Sequence, residues 1–374
     1  MHRRMRMLAA LLLTDDRPGH YHLSEGVIAA VRRLRAVDVM RLRVRCRWSG
    51  RVTALLSNSG CPADWLLRMG YGLAPSQIPP ADLIVSAGAE TLGASVAVAR
   101  LTGAPNIFCG TLRRYHHEGL RLVLTSYASH ARRPRHVMVL KPSALSRKGL
   151  AGFPHRLAGA AVPRTMGLLL GGHSGECRYE TKEWEQLFDF VEKSYQTLGI
   201  RWVITNSRRT PQVVSEMLAA RVAAGCGAIA TFIDVRITGP GTLGHVLEQV
   251  QSVVCTDDSS TMISECISAG LPVLGVRPRR AKFTPDELSY RQYLIANGWH
   301  RSVPISALTP ETLVSEVARI RPLAEDPIDQ LAGIIRERIP ELFSSSPKAV
   351  PFIHQSSRPA GPRSSRRTST LSPA

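Results

Sequence analysis

The sequence has no apolar run that approaches the roughly 18–20 residues of a membrane-spanning helix. Its start superficially resembles a secretion signal, because the basic segment His2–Arg6 precedes the apolar run Met7–Leu13. This run lacks a small-residue cleavage site and leads directly into Asp15-Asp16-Arg17, so we expect a first buried strand there. Any membrane contact is therefore expected to be peripheral, at the inner membrane.

The patterns of cysteine and aromatic residues argue against two further kinds of site. The seven cysteines contain no CxxC motif, and no histidine spacing suits zinc. Several lie in apolar runs, as reduced core cysteines do, so we expect a cytoplasmic protein. We expect no metal site and no cofactor. Aromatic residues make up only 6% of the chain, and no basic strand is interleaved with them. A nucleic-acid partner is therefore not expected.

Acidic residues are scarce and unevenly placed. The chain has 48 basic and 29 acidic residues. Residues 1–150 hold 23 of the basic and 8 of the acidic ones, whereas residues 151–344 are almost neutral. This asymmetry predicts that the first half meets an anionic partner, such as a membrane surface or a phosphorylated acceptor. The alternative is a solubilising surface in an arginine-rich proteome.

Apolar segments with strand and helix spacing alternate along both halves, a pattern typical of parallel βαβ units. Between about Lys141 and Pro163, Pro, Gly, Ser and basic residues dominate, which indicates a linker. The sequence therefore predicts an α/β fold of two Rossmann-like domains that face a crevice. We place the domains at residues 1–150 and 151–343, followed by a disordered basic Ser/Pro/Arg tail at 344–374.

Ligands of open α/β sheets bind beyond the carboxyl ends of the strands. The first predicted strand ends in Asp15-Asp16-Arg17-Pro18-Gly19-His20, where Pro-Gly indicates a turn before a helix at Ser24–Arg35. A histidine in this position is suited to act as a general base or as a donor to a phosphate. The alternative for His20 is a surface histidine on a plain turn.

Two loops of the second half are suited to phosphate. Three glycines within Gly171-Gly172-His173-Ser174-Gly175 let backbone N–H groups approach an anion. In Ser207-Arg208-Arg209-Thr210-Pro211, two arginines precede a helix predicted at Pro211–Ala224, with Thr210 as its N-cap. Cations at a helix start oppose its dipole unless an anion is bound, so we interpret the two arginines as diphosphate ligands.

The most informative segment is Asp257–Glu265, in which an apolar run leads into hydroxyl side chains and then into a helix. Such a helix start offers free N–H groups and a positive dipole end to a phosphate. Glu265 is then placed to bind hydroxyl groups beside that phosphate. Its apolar neighbours indicate a buried helix, in which a carboxylate needs a partner. The alternative is a Ser-capped helix with Glu265 on a solvated face.

The segment Asp257–Val276 resembles the second-domain signature of GT-B glycosyltransferases, above all the peptidoglycan enzyme that transfers N-acetylglucosamine from UDP to a lipid-linked acceptor. In that family a glutamate of the helix binds the ribose, and the resemblance implies that Glu265 corresponds to this glutamate. Gln292 lies near the positions where the family has glutamines that contact the sugar. The motifs and this resemblance imply one set of nucleotide-sugar ligands: Gly171, Gly172, Ser174, Ser207, Arg208, Arg209, Thr210, Asp258, Ser259, Ser260, Met262, Glu265, Lys282 and Gln292.

A closer resemblance covers most of residues 7–305. The motifs around His20, Gly171-Gly172, Arg208-Arg209, Asp258–Glu265 and Lys282-Phe283 recur in this order in the bacterial relatives of the plant "elongated mitochondria" fission protein, a GT-B-like family. Three features depart from the expected patterns, one of which is Thr125-Ser126-Tyr127 in place of an acidic stretch after Leu124. The first loop keeps only one glycine before its histidine, and Gly110-Thr111-Leu112 replaces an Asp-Pro-Arg-like step.

These observations lead to a GT-B-like, metal-independent glycosyltransferase that uses a UDP-sugar. His20 would be its general base toward an anionic or membrane-associated acceptor. Two alternatives remain open: a nucleotide-sugar epimerase or hydrolase, and a non-catalytic scaffold at a membrane surface.

Overall fold

The computed structural model describes residues 6–150, 163–239 and 241–344 of the chain. The first half forms a parallel six-stranded sheet with the spatial order β2-β1-β3-β4-β5-β6. Its strands are β1 (Leu8–Thr14), β2 (Val37–Arg43), β3 (Leu83–Ala87), β4 (Asn106–Cys109), β5 (Leu122–Thr125) and β6 (His136–Met138). The strand order reverses between β1 and β3, which opens a crevice at their carboxyl ends.

The second half forms another parallel six-stranded sheet, with the order β10-β9-β7-β11-β12-β14. Its strands are β7 (Thr165–Leu169), β9 (Arg201–Thr205), β10 (Ile229–Ile233), β11 (Ser252–Thr256), β12 (Val273–Arg277) and β14 (His300–Pro304). A small antiparallel pair, β8 (Cys177–Arg178) and β13 (Arg280–Ala281), lies beside it. The order reverses between β7 and β11, so each Rossmann-like domain has its own switch point for a ligand.

Helices cover the faces of both sheets. They are α1 (Pro18–Arg32), α2 (Gly50–Asn58), α3 (Ala63–Trp65), α4 (Leu92–Thr102), α5 (Ala128–Ala131), α6 (Thr181–Leu198), α7 (Gln212–Ala223), α8 (Val235–Thr238), α9 (Leu243–Gln249), α10 (Ser260–Ser268), α11 (Pro285–Ala296), α12 (Pro310–Val317) and α13 (Pro327–Arg338). A π-helical turn, Leu66–Tyr71, continues α3. In the described ranges, no helix has the length and apolarity needed to cross a membrane.

The last long helix returns to the first sheet. The apolar face of α13, which includes Ile328, Leu331 and Ile335, belongs to the same core cluster as Val27 and Val31 of α1. Burial of such side chains contributes about 1.5–3 kcal/mol each. The chain therefore crosses between the two sheets twice, once after β6 and once before α13. The predicted basic tail and residues 151–162 of the predicted linker lie outside the described residues.

The first helix begins earlier than the sequence predicts. We expected a turn at Pro18-Gly19 and a helix from Ser24, but α1 starts at Pro18, with Arg17 as its N-cap. Proline favours the first position of a helix, since its missing N–H would have no helical acceptor there. The consequence is that His20 and His22 both lie on the first turns of α1 and not in a loop.

Candidate functional site

The carboxyl ends of the first-sheet strands border a cavity of about 380 Å³. Its lining includes His20, Arg113 and Lys141 from the first half, together with Thr261 of α10 from the second half. The cavity therefore opens onto the crevice between the two Rossmann-like domains. Among the described residues its lining holds no carboxylate. Its volume is in the range of small-molecule sites, and its charge favours an anionic ligand.

His20 is held by a carboxylate that the sequence prediction did not single out. The Nδ1 of His20 lies 2.8 Å from Oδ2 of Asp15, whose side chain is buried. Because a carboxylate accepts the Nδ1 proton, the Nε2 atom is left as the basic nitrogen. Gly88 packs against the imidazole: a Cβ there would lie 2.1 Å from Nδ1, and its backbone φ is +89°. The arrangement is that of an oriented general base.

The two loops of the second half that we predicted to bind phosphate converge on Asp258. Its buried carboxylate accepts hydrogen bonds from the Gly172 N–H at 3.1 Å, from the Tyr179 hydroxyl at 3.2 Å and from Arg209 at 2.6 Å. The glycines are needed for this close approach, since a Cβ on Gly171 would lie 2.1 Å from the Asp258 carboxylate. The structure therefore brings together four of the predicted ligands: Gly171, Gly172, Arg209 and Asp258. They contact one another, because the other three surround the Asp258 carboxylate.

This contact changes the interpretation of the arginine pair. Arg209 neutralises Asp258, whereas Arg208 is exposed and forms no ion pair within the described part of the chain. Burial raises the pKa of the Asp258 carboxyl, although Arg209 opposes that shift. The mismatch between Arg209 and a helix start is thus relieved by an internal anion.

The hydroxyl groups of the two loops are engaged locally. Thr210 donates to the carbonyl groups of Leu170 and Gly171, and it also accepts from the Ser207 N–H. We predicted Thr210 as the N-cap of α7, and this is wrong. The helix begins at Gln212, and Pro211 is its N-cap. Ser174 accepts the N–H groups of Glu176 and Cys177 and so closes its own turn. These hydroxyls shape the loops, and their oxygen atoms already have partners.

The start of α10 agrees with the sequence prediction. Ser259 is the N-cap, and its hydroxyl accepts the Met262 N–H at 3.4 Å. The hydroxyl of Ser260 accepts a 2.5 Å hydrogen bond from Nζ of Lys141, and Thr261 faces the cavity. The first N–H groups of a helix have no intrahelical acceptor. This helix start is therefore a feature of the crevice that is suited to an anion.

Glu265 has a partner in the other half of the chain. Its Oε1 atom accepts a 2.7 Å hydrogen bond from Nδ1 of His22, and its side chain is only 8% exposed. This hydrogen bond raises the pKa of His22, although burial opposes the shift. The expectation that a buried Glu265 needs a partner is met. His22 was not predicted, because nothing in the sequence relates residues that are 243 positions apart.

A second contact between the halves surrounds Lys141. Its ammonium group donates to Glu287 of α11 at 2.8 Å, and the Tyr127 hydroxyl donates to the same carboxylate at 2.6 Å. Burial alone would raise the pKa of Glu287, but Lys141 and Tyr127 lower it to about 2. Burial also lowers the pKa of Lys141. The sequence prediction placed Lys141 only in the linker and missed its position at the cavity.

Two predicted ligands lie on the surface. Lys282 and Gln292 are exposed, and their side chains form no hydrogen bond to other described residues. Gln292 shares the outward face of α11 with the exposed Leu288 and Ile295, while Tyr290 and Arg291 point into the protein. Their roles as ligands remain predictions. Among the described residues, no cluster of His, Cys, Asp and Glu is suited to a metal ion.

The fold and the crevice define a GT-B-like protein, in which two Rossmann-like domains face each other. The family model for mitochondrial fission ELM1 matches residues 18–339, so the chain belongs to the mitochondrial fission ELM1 family. This confirms the resemblance noted in the sequence. Among curated proteins, no sequence matches significantly.

Solved structures with the same architecture include enzymes of nucleotide-sugar metabolism. A Staphylococcus aureus MnaA–UDP structure has 9% identity and a TM-score of 0.53, with 92% of this chain and 99% of that chain covered. A putative UDP-N-acetylglucosamine 2-epimerase from Listeria monocytogenes has 11% identity and a TM-score of 0.54, with 90% and 98% covered. MurG from Acinetobacter baumannii has 13% identity and a TM-score of 0.48, with 88% and 99% covered. At these identities, the likeness to the two structures with TM-scores above 0.5 establishes the fold.

Proposed function

We propose that the protein is a metal-independent glycosyltransferase that takes a UDP-sugar in the crevice and transfers the sugar to an anionic or membrane-associated acceptor. One observation carries the proposal: the start of α10, with Glu265 behind it, faces the cavity that holds His20. A phosphate-friendly helix start and an oriented base are the two parts that such a transfer needs. The protein would act in the cytoplasm, at the inner surface of a membrane.

On the donor side, the free N–H groups of α10 would receive the diphosphate. Lys141 lies beside Ser260 but is shared with Glu287, so it would offset only a small part of the charge that develops on the leaving group. Arg208, which is exposed, is the second cation available to it. Glu265 would bind the ribose hydroxyls through the oxygen that His22 does not contact. In this scheme, Asp258 and Arg209 hold the two loops in place and do not touch the ligand.

On the acceptor side, His20 would remove the proton of the attacking hydroxyl through Nε2. Asp15 stabilises the imidazolium that forms, because the 2.8 Å contact places its carboxylate against Nδ1. Arg113 and Lys141 in the cavity lining would attract an acceptor that carries phosphate or carboxylate. The acceptor would thus be bound mainly by the basic first half.

The donor assignment is tested by calorimetric titration of UDP into the Glu265→Gln protein. We expect affinity to fall about 10- to 100-fold, the equivalent of one or two hydrogen bonds to a charged group. Glu185→Gln on α6 is the matched control, since this carboxylate is exposed and has no partner among the described residues. Equal affinity in all three proteins would refute the assignment of Glu265.

The base is tested by turnover of the His20→Asn protein with a screened UDP-sugar. We expect the rate to fall about 10²- to 10⁴-fold while donor affinity is unchanged. Product analysis without an added acceptor separates the chemistries. Release of the sugar in that experiment would indicate a hydrolase, and its isomerisation would indicate an epimerase, in place of a transferase.

A second candidate is a non-catalytic scaffold at a membrane surface. It is favoured by the internal contacts of the two key carboxylates, since Glu265 is bonded to His22 and Asp258 to Arg209. A scaffold would show no rise in melting temperature with UDP-, GDP-, ADP- or CDP-sugars. A bound donor at about 100 times its Kd would instead add about 2.7 kcal/mol to the free energy of unfolding.

A further inference from the structure

Four large apolar side chains are exposed on neighbouring helical segments of the first half. Val52 and Leu55 of α2 are 46% and 69% exposed, and Trp65 and Met69 of the α3–π-turn segment are 43% and 51% exposed. Single exposed apolar residues are ordinary, but four of them within eighteen residues are not. We call these four residues the apolar face.

The four side chains point to the same side of the molecule. The segments α2, α3 and Leu66–Tyr71 all contact α4, which lies between them and the sheet. The segments α2 and Leu66–Tyr71 bury the side that faces α4: Thr53 and Ala54 on α2 are buried, and so are Leu66 and Leu67. The ring of Trp48, which lies just before α2, also contacts the ring of Trp65 on α3, with centroids 5.5 Å apart. The apolar face is therefore the outer surface of one layer.

The part of the chain that carries this face is rich in arginine and poor in acidic residues. Residues 41–70 contain six arginines and a single carboxylate, Asp64. Two of the six are paired, Arg41 with Glu25 and Arg43 with Asp16. The other four are exposed and form no ion pair with any residue that the structure describes; they are Arg45, Arg47, Arg51 and Arg68. Arg51 and Arg68 lie within the two helical segments that carry the apolar side chains.

We propose that this layer docks the protein on a membrane that contains anionic lipid. Exposed apolar side chains that include a tryptophan, on helices flanked by unpaired cations, fit the interfacial region of such a bilayer. The single sign of charge favours a lipid surface over a second copy of this chain, whose own face would be equally basic. The π-turn is also joined to the cavity, because the Tyr71 hydroxyl donates to the Glu90 carbonyl next to the cavity residues Gly88 and Ala89.

The experiment is co-sedimentation of the full chain with vesicles of phosphatidylcholine alone or mixed with phosphatidylglycerol, at low and high salt. One variant, Leu55→Glu, places a negative charge in the apolar face. The double variant R51Q/R68Q removes two cations. The matched controls are Ile237→Glu, at a site that is 85% exposed on α8, and R201Q/R336Q, which removes two exposed cations elsewhere.

We expect the unchanged protein and both controls to bind the anionic vesicles and to be released by salt. Each lipid-facing arginine contributes about fivefold in affinity, so R51Q/R68Q should bind about 25-fold more weakly. Leu55→Glu should bind at least about tenfold more weakly. The proposal would be overturned if Leu55→Glu and R51Q/R68Q bound as well as the controls. It would also be overturned if binding did not depend on the charge of the lipid. A concentration-dependent dimer that Leu55→Glu abolishes would also overturn it, in favour of self-association.

Discussion

The hydrogen bond between His22 and Glu265 makes the coupling between the two halves depend on pH. It joins α1 to α10 at 2.7 Å, with His22 about one-third exposed and Glu265 nearly buried. Hydrogen bonds to charged groups contribute about 1.5–3 kcal/mol. Because solvent screens the exposed side of His22, we expect a coupling free energy of about 1–2 kcal/mol when the histidine is protonated.

The direction of this pH dependence follows from the pKa of His22, which Glu265 raises above its ordinary value of 6.5. The folded protein therefore favours the protonated histidine more than the unfolded chain does. The stabilisation is fully present below the unfolded pKa and is lost as the pH rises through the higher folded pKa. Coupling should thus be near its maximum at about pH 6 and much smaller at about pH 9.

The assay is a double-mutant cycle with His22→Gln and Glu265→Gln, in which urea unfolding gives the free energy of each protein at both pH values. His245 and Glu248 are the control pair, since their contact is longer, at 3.8 Å, and His245 is 77% exposed. The control cycle should give a coupling near zero. A His22–Glu265 coupling that is absent at about pH 6, or equal at both pH values, would refute the reasoning.

Two further predictions concern packing and burial. Gly172→Ala should lower the free energy of unfolding by about 1–3 kcal/mol, because the new Cβ would lie 2.0 Å from the Arg209 carbonyl oxygen. Urea unfolding measures this change. The control is Gly175→Ala, whose Cβ would meet open space, so its free energy of unfolding should change little. Tyr127→Phe should lower it by about 1–2 kcal/mol, because Glu287 loses a 2.6 Å hydrogen bond in a buried site; an unchanged unfolding midpoint would contradict this.

The sequence predicts the fold well, since strands in buried parallel sheets are short apolar runs with polar loops at their carboxyl ends. The apolar runs at Asn106–Cys109 and Leu122–Thr125 indicate two short strands, and they coincide with β4 and β5; the Ser-rich start of α10 falls where its capping residues indicate. The residue at which a helix starts is harder to predict. The turn expected at Pro18-Gly19 is the first turn of α1, because proline suits both structures.

The partners of the site residues could not be predicted from the sequence. The motif around Asp258 indicates a polar loop, but which group its carboxylate binds depends on how three loops meet in space. Lys141 lies in a segment with no periodicity, and only the folded chain brings it to Ser260 and Glu287. Local patterns thus locate the crevice, whereas the pairing of charges across it depends on contacts between residues far apart in the chain.

The return of α13 to the first sheet limits how this protein can be divided. A fragment that ends near residue 150 would lack Ile328, Leu331 and Ile335, and the surface of α1 that they cover would be bare and prone to aggregation. A single cut between the sheets would leave the two pieces held together by that helix. Any exchange of the first domain between relatives must therefore carry a second, distant segment, the one that contains α13.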